Sequence, residues 1–187
     1  MVSLFIVNII FIGGFTMSKA LLLIDLQNDY FTGGAYPLWN TDETLTNIEN
    51  AISKAKEQNI PIILIQHVAN SELGIAPFFN KGTYGVEIHS KILELLPNAP
   101  IVIKEYADSF VNTTLEEVLS NLNVTELLIA GMMTQNCVTH TAISKSAEKY
   151  DVSILVDCST TVDSMIHNIA LHAVSTRVPL VTSSDVL

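Results

Sequence analysis

Basic residues are scarce in this chain. Nine Lys and Arg stand against nineteen Asp and Glu, leaving a formal net charge of −10. That balance excludes an electrostatic grip on phosphate backbones or anionic lipid, and with it a nucleic-acid or membrane-surface partner. Cysteine is nearly absent too. Cys137 and Cys158 make neither a metal-ligand spacing nor a disulfide framework, which points to a reduced, cytoplasmic protein. No GxGxxG follows the first strand-like run and no Walker glycine-lysine loop occurs, so nothing supports a dinucleotide or nucleotide triphosphate site. Linkers, repeats and low-complexity tracts are missing as well. At 187 residues the chain reads as one globular domain, 17–187, preceded by a short leader.

The leader, residues 1–16, begins "MVSLFIVNIIFIGGF" and is strongly apolar, yet no Lys or Arg precedes Lys19. It lacks the basic segment of a signal peptide and falls short of the ~20 apolar residues that a spanning helix needs. "MSKALLLID" from Met17 reads as an ordinary start followed at once by a strand. We expect residues 1–16 to be an upstream start-site artefact or a dispensable extension rather than a membrane anchor.

From Lys19 onward, short β-branched runs alternate with amphipathic stretches. Strands are expected at 20–25, 61–67, 101–104, 126–131, 152–157 and 178–183. Helices are expected over 42–59, with Leu45, Ile48, Ile52 and Ala55 on one face, and over 86–96. Asn112 is a candidate cap for a helix carrying Leu115, Val118, Leu119 and Leu122. Two more are expected over 135–149 and after Asp163. Such alternation predicts an α/β fold: a three-layer, Rossmann-like, six-stranded, mostly parallel sheet with helices on both faces. Ligands in such folds bind at the carboxyl ends of the strands.

The strand ends carry Asp25, Gln27, Asn28 and Asp29 after the first, His67 after the second, Lys104 after the third and Asp157 after the fifth. Asp25 and Lys104 each close an apolar run, where an unpaired charge is costly, so alone they read as a structural ion pair. Cys137 changes that. With Thr134 as N-cap, it would sit in the first helical turn, where amide N–H groups and a nearby lysine favour a thiolate. A carboxylate, a cation and a thiol at three strand ends are the parts of a covalent catalyst. His140, three residues beyond Cys137, offers a rival Cys–His dyad, but neighbours at that spacing seldom align thiol and imidazole.

Three motifs carry a resemblance: "LLLIDLQNDYFTGGA", "IVIKEYADSF" and "IAGMMTQNCVTHTA". The chain resembles the isochorismatase-like cysteine hydrolases from about Lys19 to Leu187, with "GTYGVEIHSKI" and "DCSTTVDSMIH" also similar to family stretches. The resemblance implies a catalytic triad of Asp25, Lys104 and Cys137 and a cis peptide at Met132–Met133. It also implies an oxyanion hole from the Met133 and Cys137 amides, and a homo-oligomer. Hydrolysis of a small molecule's amide-type C–N bond through a thioester is the activity expected. Vinyl-ether hydrolysis of the isochorismatase type is the alternative, and a redox-sensing or scaffold protein the rival from another class. Metal-dependent members carry an Asp-x-His after the first strand. The corresponding "TGGAYPLWNTDE" has no histidine, so no metal or other cofactor is expected and nicotinamide is disfavoured as substrate. Phe31, Trp39, His67, Tyr84 and Phe110, in segments flanking the strand ends, are the candidate substrate contacts.

Overall fold

The computed structural model describes residues 18–187; the apolar leader lies outside them. Six strands form the sheet: β1 (Lys19–Ile24), β2 (Ile62–His67), β3 (Ile101–Lys104), β4 (Glu126–Met132), β5 (Asp151–Thr160) and β6 (Leu180–Val181). Their order across it is β3-β2-β1-β4-β5-β6, and every neighbouring pair is parallel. The strand order reverses between β1 and β4, which opens a crevice at their carboxyl ends.

β1 reads as an unbroken apolar run because both of its faces are covered. Leu21 and Leu23 enter one core cluster and Ala20, Leu22 and Ile24 the other. The first cluster is filled from α1 (Thr41–Glu57) by Leu45, Ile48 and Ile52 and from α2 (Ser90–Leu95) by Ile92. The second is filled from α3 (Leu115–Asn121) by Leu115 and Leu119, from α4 (Thr139–Ala142) by Ala142, and from α5 (Ser164–Val174) by Leu171 and Val174. Each such aliphatic side chain contributes about 1.5–3 kcal/mol when fully buried, so the two layers supply most of the stability. A short C-terminal helix, α6 (Ser183–Val186), ends the chain. Among the described residues no helix is long and apolar enough to cross a membrane.

Asp163 caps α5 as its type and position predict: its Oδ1 accepts the Ile166 N–H at 2.8 Å. Elsewhere local bonding overrides the periodicity. The expected helix over 86–96 is split, because Ile88 bridges to Gln27 as a strand would and a helix forms only from Ser90. α3 starts at Leu115 rather than after Asn112, whose backbone is left-handed, and Leu122 falls at its end, half exposed. The stretch expected as one helix over 135–149 is three pieces: a π-helical turn at Thr134–Val138, then α4, then a 3₁₀ turn at Lys145–Lys149. β5 runs past its expected end to Thr160, with its pairing to β4 shifted between Ile129 and Gly131. β6 keeps only two residues of the six expected.

Candidate active site

Asp25 follows β1 directly, in left-handed backbone (φ 54°) that Asp adopts more readily than most residues. Its carboxylate is thereby delivered to the crevice. Lys104 closes β3, and its register partner in β2 is His67. Cys137 lies in the π-helical turn that follows β4. Gly131 makes the approach possible: it pairs with Ile24, takes φ 122°, and a Cβ there would stand 2.1 Å from the Ile24 carbonyl oxygen. Gly131→Ala should therefore cost at least ~3 kcal/mol, a severe loss for one methyl group. Its urea midpoint checks this, and a wild-type midpoint would refute the close approach.

The three groups meet around one ammonium. Lys104 Nζ stands 2.9 Å from Asp25 Oδ2, 3.1 Å from Cys137 Sγ, 3.1 Å from His67 Nδ1 and 3.1 Å from the Tyr106 carbonyl oxygen. Asp25, Lys104 and Cys137 are 0, 1 and 2% exposed. At such depth an unpaired charge would cost several kcal/mol, so the ion pair is a condition for either charge to be there. Asp25 Oδ1 is also buried and makes no hydrogen bond within the described residues. It is a buried acceptor with no donor facing it among the described residues.

Burial works against the Lys104 charge, but the Asp25 carboxylate and Cys137 outweigh it and hold the ammonium above its ordinary range. Cys137 departs from expectation. Burial first, then the Asp25 carboxylate, push its thiol up, and Lys104 offsets only part of this. The thiol is held above its ordinary range, the opposite of the lowering expected from a first helical turn and a nearby lysine. Thr134 is not its cap, since the turn begins at Thr134 itself and the Thr134 hydroxyl pairs with His167 Nδ1 at 2.9 Å. Cys158 is the inert counterpart: it is fully buried, and burial with Asp157 pushes it up to about 12.

The Met132–Met133 peptide is cis. Among the described residues the Met133 N–H donates to no acceptor, which leaves it available near Cys137. His140 points away from the cluster: it is exposed, and its Nδ1 donates to the Asn136 carbonyl at 2.8 Å. Asp157 serves the fold instead, accepting from the Ser183 N–H and hydroxyl at 2.8 and 2.6 Å.

The aromatic candidates divide. Phe31 lies in the first core cluster against the His89 ring (4.4 Å between centroids), and Phe110 lies in the second, stacked on Tyr150. Both rings are buried, at 6% and 9% exposed. Tyr84 and Trp39 are exposed, at 73% and 42%. Sequence reading gave no role to the polar residues that fasten the loops. Gln27 Nε2 donates to the His67 and Val86 carbonyls, and Gln27 Oε1 accepts the His67 N–H. Asn28 Nδ2 donates to the Tyr84 carbonyl. Asp29 Oδ1 and Oδ2 accept the Ala35 and Phe79 N–H groups. Their one legible signal was a polar cluster directly after a buried strand. Tyr30, fully buried beside them, has its hydroxyl pushed up by burial and then by Asp25 and Cys137.

Among the described residues one group has metal-ligand chemistry: Asp25, His67 and Cys137, whose donor atoms lie within 4.8 Å of one another. The Lys104 ammonium already stands at its centre, so a metal ion would have to displace a paired cation.

A buried carboxylate, lysine and thiol thus meet at the crevice of a parallel α/β sheet. Residues 19–186 match the isochorismatase domain model. The chain is 36% identical over 146 residues to the uncharacterized isochorismatase family protein YddQ of Bacillus subtilis, covering 78% of this chain and 79% of that one. It is 28% identical to the ureidoacrylate amidohydrolase RutB of Cronobacter sakazakii, over 66% of each. An isochorismatase family protein from Desulfovibrio vulgaris superposes with a TM-score of 0.80 at 21% identity, over 90% of this chain and 95% of that one. The chain belongs to the isochorismatase family of hydrolases.

Proposed function

We infer that the chain is a cysteine hydrolase that cleaves an amide-type C–N bond of a small molecule through a thioester. One observation carries the reading: Asp25, Lys104 and Cys137, from three separate strand ends, share a single buried hydrogen-bonded cluster. In the proposed cycle Asp25 Oδ1 takes the thiol proton as Cys137 Sγ attacks the carbonyl carbon. The Met133 and Cys137 N–H groups hold the oxyanion. As the tetrahedral intermediate collapses, Asp25 returns the proton to the departing ammonia or amine. It then takes a proton from water as the water oxygen attacks the thioester carbonyl, and passes it to the departing Cys137 sulfur as the acid is released.

The raised thiol resists giving up its proton, and the charge balance of the cluster offsets that resistance. At rest the cluster holds a carboxylate and an ammonium. After proton transfer it holds a thiolate and an ammonium. The net charge of the buried site stays at zero while negative charge moves from Asp25 to Cys137, so no unpaired charge is created where water cannot solvate it. Amide chemistry is favoured over vinyl-ether hydrolysis because only the former needs the thiol, and the likeness to an amidohydrolase supports it.

Of the residues expected to touch substrate, Tyr84 and Trp39 are the exposed ones, and we propose them as its contacts. The protein is proposed to act in the cytoplasm, where both free thiols stay reduced. A homo-oligomer is proposed as the working state, supported by Met165 and Ile169 of α5, which are 71% and 61% exposed; sedimentation as a monomer would refute that.

A screen for ammonia release over small primary amides, carbamoyl compounds and ureides tests the activity, with Cys137→Ser as control. Release by the wild type and none by the variant is expected. Equal release by both would defeat the reading.

A further inference from the structure

The Lys104 ammonium has three N–H bonds to give, yet four acceptors stand 2.9–3.1 Å away: Asp25 Oδ2, Cys137 Sγ, His67 Nδ1 and the Tyr106 carbonyl oxygen. Two of these change charge during the proposed reaction and two do not. Asp25 loses its negative charge on accepting the thiol proton, and Cys137 gains it. The Tyr106 carbonyl and the His67 imidazole are neutral throughout. We propose that His67 is a positioning residue: together with the Tyr106 carbonyl it anchors two N–H bonds of Lys104, leaving the third to follow the negative charge from Asp25 Oδ2 to Cys137 Sγ. The inference rests on the cysteine-hydrolase reading and assigns His67 a role through Lys104 rather than through substrate.

His67 is held for that task. Its backbone is clamped on both sides by Gln27, which accepts the His67 N–H and donates to the His67 carbonyl, each at 2.8 Å. With Nδ1 as acceptor, the ring proton belongs on Nε2. The groups facing it are Lys104 from β3, Asp25 from the end of β1 and Cys137 from the turn after β4, with the non-titrating Phe79 ring 5.9 Å away. Burial, and then Lys104, lower the His67 pKa from 6.5, and Asp25 opposes them only in part. The imidazole is therefore neutral at neutral pH. As pH falls through that lowered value the ring becomes a second cation with no lone pair to offer, and the anchor is lost.

The test has an arm that needs no turnover. In a Cys158→Ala background, alkylation of Cys137 by iodoacetamide is followed against pH by mass spectrometry, in the parent, His67→Leu and His67→Asn. Asparagine puts a non-titrating carbonyl oxygen where Nδ1 stands. We expect His67→Leu to slow alkylation about ten- to a hundredfold at neutral pH, as for a lost hydrogen bond to a charged group. His67→Asn should restore most of the rate and remove one ionisation from the acid side of the profile. Identical profiles in all three would overturn the proposal. So would faster alkylation in His67→Leu, which would mean that imidazole and thiolate compete for the same N–H. With an amide substrate, kcat should fall in His67→Leu while KM holds; a rise in KM alone would make His67 a substrate contact instead. If alkylation responds as expected but no amide is cleaved, the anchor stands and the proposed activity falls.

Discussion

Cys137→Ser is expected to lower amide turnover by a factor of about 10⁴ or more while leaving the fold intact. The substitution exchanges one atom in a side chain that is 2% exposed, and serine still offers Lys104 an acceptor in place of Sγ. Stability should therefore be close to that of the parent. Chemistry changes far more, because an alkoxide is much harder to form than a thiolate. Moving the hydroxyl proton to Asp25 would create a stronger, poorly stabilised base inside the cluster. The check is ammonia release against intact mass after acid quenching. The wild type should carry a transient adduct of the acyl group's mass on Cys137, and the variant none. Turnover equal to the parent would remove Cys137 from the mechanism.

Lys104→Met is expected to lose activity and, unlike the cysteine change, to destabilise the protein by about 3–5 kcal/mol. Methionine fills similar volume, so the cost is electrostatic: the Asp25 carboxylate, 0% exposed, would be left without its cation. The double variant Asp25→Asn/Lys104→Met should recover most of the stability and none of the activity, since it removes both charges together. Urea unfolding of the parent, both single variants and the double variant reads the coupling directly. If the single lysine variant unfolds with the parent, the ion pair does not carry the weight described. The sign with pH follows from the raised Lys104 value. A group whose folded pKa exceeds its ordinary one, here 10.5, stabilises fully below that value and loses the contribution as pH rises through the folded pKa. The gap between parent and variant should be flat around neutrality and close only in strongly alkaline solution.

The six strands and the two helix layers were legible because burial on both faces leaves continuous apolar runs, as in "ALLLI", and because α1 keeps a clean 3.6 period. Asp25 and Lys104 were legible as a pair because charged residues at the ends of such runs are costly unless partnered, and the structure brings Cys137 to the same ammonium. What the pattern hid are places where a side chain takes a backbone group out of the expected ladder. Gln27 holds the Val86 carbonyl beside the Ile88 bridge, in a stretch whose apolar spacing looks helical. Thr134 was read as a cap but pairs with His167 from α5, a contact across 33 residues that no local window contains. The direction of the Cys137 shift was misread for a similar reason. Position in a first turn suggests a thiolate, but depth and the facing carboxylate outweigh it, and both depend on tertiary structure. Phe31 and Phe110 illustrate the same limit: an aromatic in a loop beside a site is as ready to close the core as to line a pocket.

The strand that delivers Lys104 has the least support of any near the site. β3 is four residues long and lies at the margin of the sheet, paired only with β2. Marginal strands of this kind are the first to fray in native-state fluctuations. Here the fraying end is riveted from afar, because the ammonium reaches groups 79, 37 and 33 residues away along the chain. Attachment of the marginal strand and assembly of the charged cluster are thus one cooperative event. A molecule whose β3 has peeled away has no site, and a molecule with an assembled site has its sheet closed.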